Sequence, residues 1–326
     1  MSDGLSTPES SEYSDEPTPQ RAKGVAWILA RPIEEREEGN KLFQDMLTQI
    51  KTDKIPIFFV SPHFDDQAAS AAELTKELSD YEGMSGNVHV ITVFTNGTES
   101  TRNSFTERYF PPGIKTVEEL YKVRAQEDER ACQILGAVPH ILRRPDGSPF
   151  NDALFRDNGL RRVPTYPFNS FVLGRIFPSD RALPGQIGEA LQSEISRTIG
   201  KEQFTKGKYI VVGPVAVRGK IRAHVDHVVT QRAVTQAFPE NAVYYGEYPY
   251  IIERTPSEIL INEQGLKPAI LERKPQNHNA RKEAIEAHKS QRQLFFFNSE
   301  LPPLLPQEIY FVNPRVVKTL QGSSNV

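Results

Sequence analysis

The 326-residue chain contains a single cysteine, Cys132. That excludes an intrachain disulfide and any zinc cluster built on thiolates, so a metal in this protein has to be held through nitrogen and oxygen. Cys132 falls within an expected helix with no histidine beside it, the setting of a small core residue and not of a nucleophile. No run approaches the roughly 18 consecutive apolar residues of a membrane span, and the amino-terminal segment lacks the apolar centre of a secretory signal. The expectation is a soluble, cytoplasmic protein with no membrane span. An excess of one charge is missing too: 39 Lys and Arg against 42 Asp and Glu give a formal net charge of −3, with no global attraction to nucleic acid. Finally, no Gly-x-Gly-x-x-Gly follows the first apolar run, which disfavours a dinucleotide-binding domain.

What the chain does have is an ordinary globular composition, 38% hydrophobic and 25% charged. Its length allows about three quarters of the unfolded surface to be buried. Residues 1–22 are rich in Ser, Glu, Asp, Pro and Thr and poor in large apolar residues, which reads as a disordered acidic tail. From residue 23 to 326 we expect one domain, with a loop-rich insert around 143–184, where Pro, Gly, Arg and Asp are dense, and an extension after about residue 295. The apolar run Ile55 to Val60, a helical stretch from Ala68 to Leu78 and a β-rich run from Val88 to Phe94 make a βαβ unit. A long helix is expected from Val117 to Leu135, stopped by Gly136, with Arg124 and Asp128 on its apolar stripe. Further helices fit Gln186 to Ile199 and Ala280 to Gln293, and strands fit Tyr209 to Val212 and Ala242 to Tyr245. Pro302, Pro303 and Pro306 exclude a continuous helix through the end of the chain. Strands alternating with helices imply an α/β fold with a mostly parallel sheet covered on both faces, and ligands bind such sheets beyond the carboxyl ends of the strands.

Two segments carry the chemistry. Pro62-His63-Phe64-Asp65-Asp66 follows the first strand, and His224-Val225-Asp226-His227 lies beyond the strand at 209–212. A catalytic zinc commonly takes three protein ligands and keeps a fourth position open, so a His/Asp pair plus a distant His is a sufficient inventory. Asp65 and Asp66 are adjacent and cannot point the same way in an extended turn: one binds metal, the other serves as base. Asp66 before Ala68-Ala69 also suits a helix N-cap, a competing use of its oxygens. His224 and His227 are one helical turn apart, so that one ligates while the other stabilises an oxyanion or protonates a leaving amine, and Asp226 is placed to fix an imidazole tautomer. Arg124 has two readings, an ion pair with Glu127 or Asp128 and a contact to substrate. Arg218, Lys220 and Arg222 form either a solvated loop face or an attraction for an anionic substrate.

Through these segments the chain resembles the LmbE/PIG-L family of zinc-dependent N-deacetylases. The family's His-Pro-Asp-Asp-Glu is similar to His63-Phe64-Asp65-Asp66-Gln67, and its His-Pro-Asp-His to His224-Val225-Asp226-His227. Thr95-Asn96-Gly97, Arg124 with Glu127 before Leu135-Gly136, Pro145-Asp146-Gly147 and Ala287-His288-Lys289-Ser290-Gln291 resemble weaker family segments in the same order. The resemblance implies a Rossmann-like three-layer sandwich and hydrolysis of an N-acetyl amide on a small amino-sugar conjugate, releasing acetate and an amine. It implies Zn2+, with Fe2+ an alternative occupant, on His63, Asp66 and His227. Asp65 is then the general base, His224 the intermediate-stabilising or acid group oriented by Asp226, and Arg124 and Asp146 are substrate contacts; His288 receives no role. Phe64, Val225 and Gln67 depart from the family pattern without deleting a ligand or the base. Two rival readings are a sugar-binding homologue without turnover and a mononuclear iron oxygenase, whose two-His-one-carboxylate triad His63, Asp65 and a distant His also satisfy.

Overall fold

The apolar runs of the sequence become the strands of one sheet in a computed structural model that describes residues 23–103, 106–157, 165–166, 174–216, 224–253, 256, 258–291 and 307–322. Helices α1 (Lys23–Leu29) and α2 (Ile33–Asp53) precede β1 (Ile57–Ser61), α3 (Asp66–Ser70), α4 (Ala72–Ser79), β2 (Val88–Thr92) and β3 (Phe94–Asn96). Next come α5 (Val117–Leu135), β4 (Val138–Ile141), β5 (Phe150–Asn151), α6 (Leu183–Ile199), α7 (Lys201–Thr205) and β6 (Ile210–Pro214). The chain continues through α8 (Val225–Ala237), β7 (Ala242–Tyr245), α9 (Tyr250–Glu253), α10 (Glu258–Gln264), β8 (Lys267–Glu272), α11 (Pro275–Ala287) and β9 (Gln307–Val312) to a closing helix at Pro314–Leu320.

Seven strands lie in the order β4-β2-β1-β6-β7-β9-β8, and β3 with β5 forms a separate two-stranded ribbon. The pairs from β4 to β7 are parallel, while β9 runs antiparallel to both β7 and β8. All residues of β1 and β6 are buried, as expected of central strands covered on both faces. Along β1 the side chains alternate: Phe58 and Val60 enter a core with Ile187 and Leu191 of α6 and Val229 of α8, whereas Ile57 and Phe59 join Phe43, Met46 and Ile50 of α2 and Leu74 and Leu78 of α4. The result is the expected three-layer α/β sandwich. From β1 the chain steps outward through β2 to β4, and from β6 it steps the other way to β7, so the order reverses between β1 and β6. The carboxyl ends of these two strands therefore frame a crevice.

Helix α5 has the limits that the sequence pattern predicts. Thr116 and Glu119 form a capping box at its start, and Gly136 ends it at φ 72°, with Ser79 Oγ only 2.8 Å from where a Cβ would stand. The stretch expected as one helix from Ala68 to Leu78 is instead two, broken at Ala71 (φ −139°). The break exposes two sets of backbone groups that distant side chains then satisfy. Arg281 Nη2 donates to Ala69 O at 2.5 Å, and the amides of Glu73 and Leu74 donate to the Glu308 carboxylate at 2.8 and 3.1 Å. Helix α11 begins at Pro275, earlier than Ala280, because proline is well suited to a first helical turn; residues 292–293 of the expected helix lie outside the described residues. The part of the C-terminal extension that is described supplies β9, an interior strand. The 1–22 tail lies outside the described residues. No helix among them is long and apolar enough to cross a membrane.

Candidate metal centre

Both sequence motifs leave the sheet at this crevice. After β1 the chain turns so that Ser61 Oγ donates to His63 O and accepts from Gln67 N at 3.1 Å, which fixes the Pro62–Asp66 loop against the start of α3. Asp66 is the first residue of α3, yet it does not cap the helix. Its Oδ2 accepts from His63 N at 2.8 Å and stands 3.1 Å from His63 Nδ1 and 3.3 Å from His227 Nε2. After β6, His224 is the N-cap of α8: its Nδ1 accepts from Asp226 N at 3.2 Å, and one turn on His227 points into the same crevice. The His63 and His224 rings meet edge to face at 4.8 Å, and the His63 and His227 rings lie 5.4 Å apart.

The six motif residues thus converge, and they divide by exposure. Asp66, Asp226 and His227 are buried, whereas His63, Asp65 and His224 are partly open. Two sets of ligand atoms among the described residues lie within 4.8 Å of one another, one from His63, His224 and His227 and one from His63, Asp152, His224 and Asp226. Together with the expected trio around Asp66 Oδ2, all share His63.

Asp226 meets an imidazole, but a different one from the His224 that the resemblance implies. Its Oδ2 stands 3.2 Å from His63 Nε2 and accepts from Ala153 N at 2.8 Å, and its Oδ1 takes Arg156 Nη2 at 2.5 Å. It is the main-chain amide of Asp226 that reaches the His224 ring, while the carboxylate is anchored on His63 and Arg156. Arg124 is buried on α5, and its Nε and Nη2 find no hydrogen-bond partner among the described residues. The ion-pair reading is not what forms: Glu127 is taken by Ser290 N and Oγ at 2.8 and 2.5 Å, and Asp128 by Thr92 Oγ1 at 3.1 Å. Asp146 lies on an exposed turn, where its carboxylate accepts from Ser148 N and Oγ at 2.9 and 2.6 Å. Arg218, Lys220 and Arg222 lie outside the described residues.

Three participants, Asp152, Arg156 and Glu247, carry no motif in the sequence, and a fourth, His288, belongs to one of the weaker family-like segments. Asp152 Oδ2 accepts from Tyr121 OH at 2.9 Å and stands 3.8 Å from His63 Nε2. Arg156 joins Asp226 to Asp180. Glu247, just past β7, stands 3.3 Å from His227 Nδ1. His288 is buried with neither ring nitrogen partnered among the described residues. Besides His288, Tyr121 of α5, the partner of Asp152, lies on the predicted helix one turn before Arg124. The others become visible only when loops meet.

The electrostatics follow from this crowding. Burial pushes the Asp65 carboxyl up, Asp66 beside it adds repulsion, and His63 and Arg124 oppose both, leaving it at about 7. Burial would also raise Asp66, but His227 and His63 outweigh it and hold the group well below the usual carboxylate range. Burial and the neighbouring His63 push His224 down to about 3, so its ring is neutral near pH 7. With Nδ1 accepting from a backbone amide, that neutral ring carries its proton on Nε2. Burial lowers His227, yet Asp66 and Glu247 carry it to about 9; His63 is likewise raised, with burial opposed by Asp152, Asp226 and Asp66. Carboxylates that draw protons onto two facing imidazoles are equally suited to a divalent cation in their place. The donor set of nitrogen and oxygen atoms, with a carboxylate behind His63 and another behind His227, fits zinc or iron.

The sequence profile of the PIG-L family, described as GlcNAc-PI de-N-acetylase, matches residues 58–238. No curated protein sequence matches significantly. Among solved structures, the A40926 pseudoaglycone deacetylase Dbv21 is similar at 21% identity and a TM-score of 0.54, over 79% of this chain and 98% of that one. A deacetylase of teicoplanin biosynthesis is similar at 19% identity and a TM-score of 0.59, over 78% and 96%. The zinc-inhibited form of teicoplanin deacetylase Orf2 gives 18% identity and a TM-score of 0.58, over 78% and 97%. These likenesses share the fold. The profile match spans both motifs and more than half of the sequence, and the chain belongs to the PIG-L family.

Proposed function

We propose that this protein is a metal-dependent N-deacetylase that hydrolyses the N-acetyl amide of a small amino-sugar conjugate, with His63, Asp66 and His227 as metal ligands. The single observation that carries the reading is the approach of two imidazole nitrogens to one oxygen of Asp66, beside a half-open Asp65 and His224. Family membership and the deacetylases of like fold support it. A divalent cation at this position supplies Lewis acidity, polarising the amide carbonyl and lowering the pKa of water toward about 7.

The residues of the chain do the rest. Asp65, held near 7, takes the proton of the attacking water and returns it to the leaving nitrogen, as a base matched to neutral pH does best. His224 presents its Nε2 proton to the oxyanion as the carbonyl becomes tetrahedral, and its depressed pKa keeps it a neutral donor. Asp226 holds the far nitrogen of His63. Arg124 offers Nε and Nη2, two donors without a partner among the described residues, to the sugar or its aglycone. Zn2+ is the first choice of metal, and Fe2+ suits the same ligands.

The test is metal analysis of the purified protein together with amine and acetate release from a panel of N-acetylglucosamine conjugates. Turnover that chelation abolishes and Zn2+ restores is the expected result. Protein that retains no divalent metal and releases no amine from any conjugate overturns the reading, and sugar binding without turnover leaves a non-catalytic homologue.

A further inference from the structure

Each of the two histidines just proposed as ligands keeps a second ring nitrogen, and each of those nitrogens meets a buried carboxylate. His63 Nε2 stands 3.2 Å from Asp226 Oδ2, and His227 Nδ1 stands 3.3 Å from Glu247 Oε1. The two carboxylates reach the site from different sides. Asp226 lies between the histidines of the second motif, whereas Glu247 follows Gly246 off the end of β7, the strand beside β6. Gly246 is tight against Ile251 and Ile309, which an added Cβ would meet at 3.2 and 3.4 Å, so the backbone that delivers Glu247 has little room to shift.

Asp226 has a further anchor of its own. Arg156, from the loop-rich insert, donates through Nη2 to Asp226 and through Nη1 to Asp180, and Tyr166 OH donates to Asp180 at 3.0 Å. The guanidinium also lies over the Phe94 ring at 4.9 Å. Arg156 forms no hydrogen bond to His63, Asp66 or His227 among the described residues, yet it fixes the carboxylate that fixes His63.

A neutral imidazole that offers one nitrogen to a cation must carry its proton on the other, and an acceptor for that proton selects the tautomer, sets the ring plane and increases ligand basicity. We propose that Glu247 and Arg156 are positioning residues of the metal site: Glu247 holds His227 directly, and Arg156 holds Asp226 against His63. The inference rests on the metal-dependent reading above. It makes the insert part of the site through Arg156, not through the exposed Asp146.

The experiment measures Zn2+ affinity of the full chain by competition with a chromophoric chelator, alongside thermal melting and the visible spectrum of the Co2+-loaded protein. Glu247→Ala is expected to weaken Zn2+ binding about 10- to 100-fold. Glu247→Gln, which keeps an acceptor oxygen, recovers part of the loss. Arg156→Met is expected to weaken binding in the same range and shift the Co2+ bands, with Arg156→Lys intermediate. Folded variants that bind Zn2+ as tightly as the natural chain, with an unchanged Co2+ spectrum, overturn the proposal and leave both residues as internal ion-pair partners. Should Arg156→Met not fold, Arg156→Lys and the two Glu247 variants decide between the same two outcomes. Failure of the unsubstituted chain to bind Zn2+ is a different result: it removes the metal-dependent function, and this inference with it.

Discussion

Among the described residues, carboxylates and cations are buried together at the carboxyl ends of β1 and β6 and at the joint of α4, α11 and β9. At the joint, Glu308 accepts from the amides of Glu73 and Leu74 and from Tyr310 OH at 2.7 Å, and Arg281 donates to Ala69 O and, at 3.4 Å, to Glu73. His278 Nδ1 stands 2.8 Å from the same Glu73. None of Glu73, His278, Arg281 and Glu308 is more than 2% exposed. Here the charges are tied to main-chain groups that the helix break leaves open, and the face is closed. At the β1/β6 crevice the carboxylates face imidazoles, and three of the six motif side chains stay within reach of a ligand. Charge paired with the backbone builds structure, and charge paired with imidazole nitrogens at an open face suits the proposed chemistry.

The comparison breaks most directly at Asp65. Asp65→Asn removes the proposed base and leaves the proposed ligands, so kcat is expected to fall about 10²- to 10⁴-fold while Zn2+ content and melting temperature stay put. Steady-state kinetics beside metal analysis check it, and full activity in the variant would strip Asp65 of its role. The counterpart at the joint is Glu308→Ala. Losing a buried, hydrogen-bonded carboxylate opposite Arg281 is expected to cost about 3 kcal/mol of stability, read by urea unfolding. Activity per folded molecule should not change. If Glu308→Ala lowers kcat without lowering stability, the division between the two clusters is false.

Much of this contrast was legible before folding. Consecutive apolar residues marked β1, β6 and β7 because central parallel strands have no polar face, and the α5 stripe and Gly136 marked that helix because capping chemistry is local. The two motifs stood out because metal ligands come from few residue types. Strands β8 and β9 were not readable in the same way: β9 follows a proline-rich stretch, and its place between β7 and β8 depends on antiparallel pairing with segments far away in the sequence. The bonds made by Asp226, Arg156 and Glu247 were hidden for a related reason. A carboxylate's partner is decided by which loops meet, and sequence spacing says nothing of a contact such as that between Arg156 and Asp226, 70 residues apart. Ser290 shows the same limit, since its familial look gave no hint that it takes Glu127 from Arg124.

The insert allows a finer cut. Asp146 and Asp152 sit on the same loop-rich segment, but the first closes its own exposed turn and the second stands behind His63 and Tyr121. Asp152→Ala is expected to lower kcat/KM about tenfold, in the range of losses seen when groups supporting metal ligands are removed. Asp146→Ala should change it by no more than about twofold, as for surface substitutions generally. An inverted order would return Asp146 to the substrate contacts that the family resemblance implies and detach Asp152 from the site.

The last expected effect lies in the pH dependence of the joint. Burial is the largest influence on Glu308 and Glu73 repels it further, while Arg281 opposes both, and the carboxyl is pushed up to about 7. A carboxyl whose folded pKa exceeds its unfolded value binds its proton more tightly in the folded state, so its contribution to stability is complete below about pH 4.5 and is lost as the pH rises toward 7. Glu308→Gln cannot titrate and keeps an acceptor oxygen for the α4 amides. The difference in unfolding free energy between the natural chain and this variant should therefore move against the natural chain as the pH is raised from about 5 to about 7.5, a window in which exposed carboxylates are already ionised. Parallel unfolding curves across that window would mean that Arg281 neutralises Glu308 completely, and that the joint is as fully charged as the crevice.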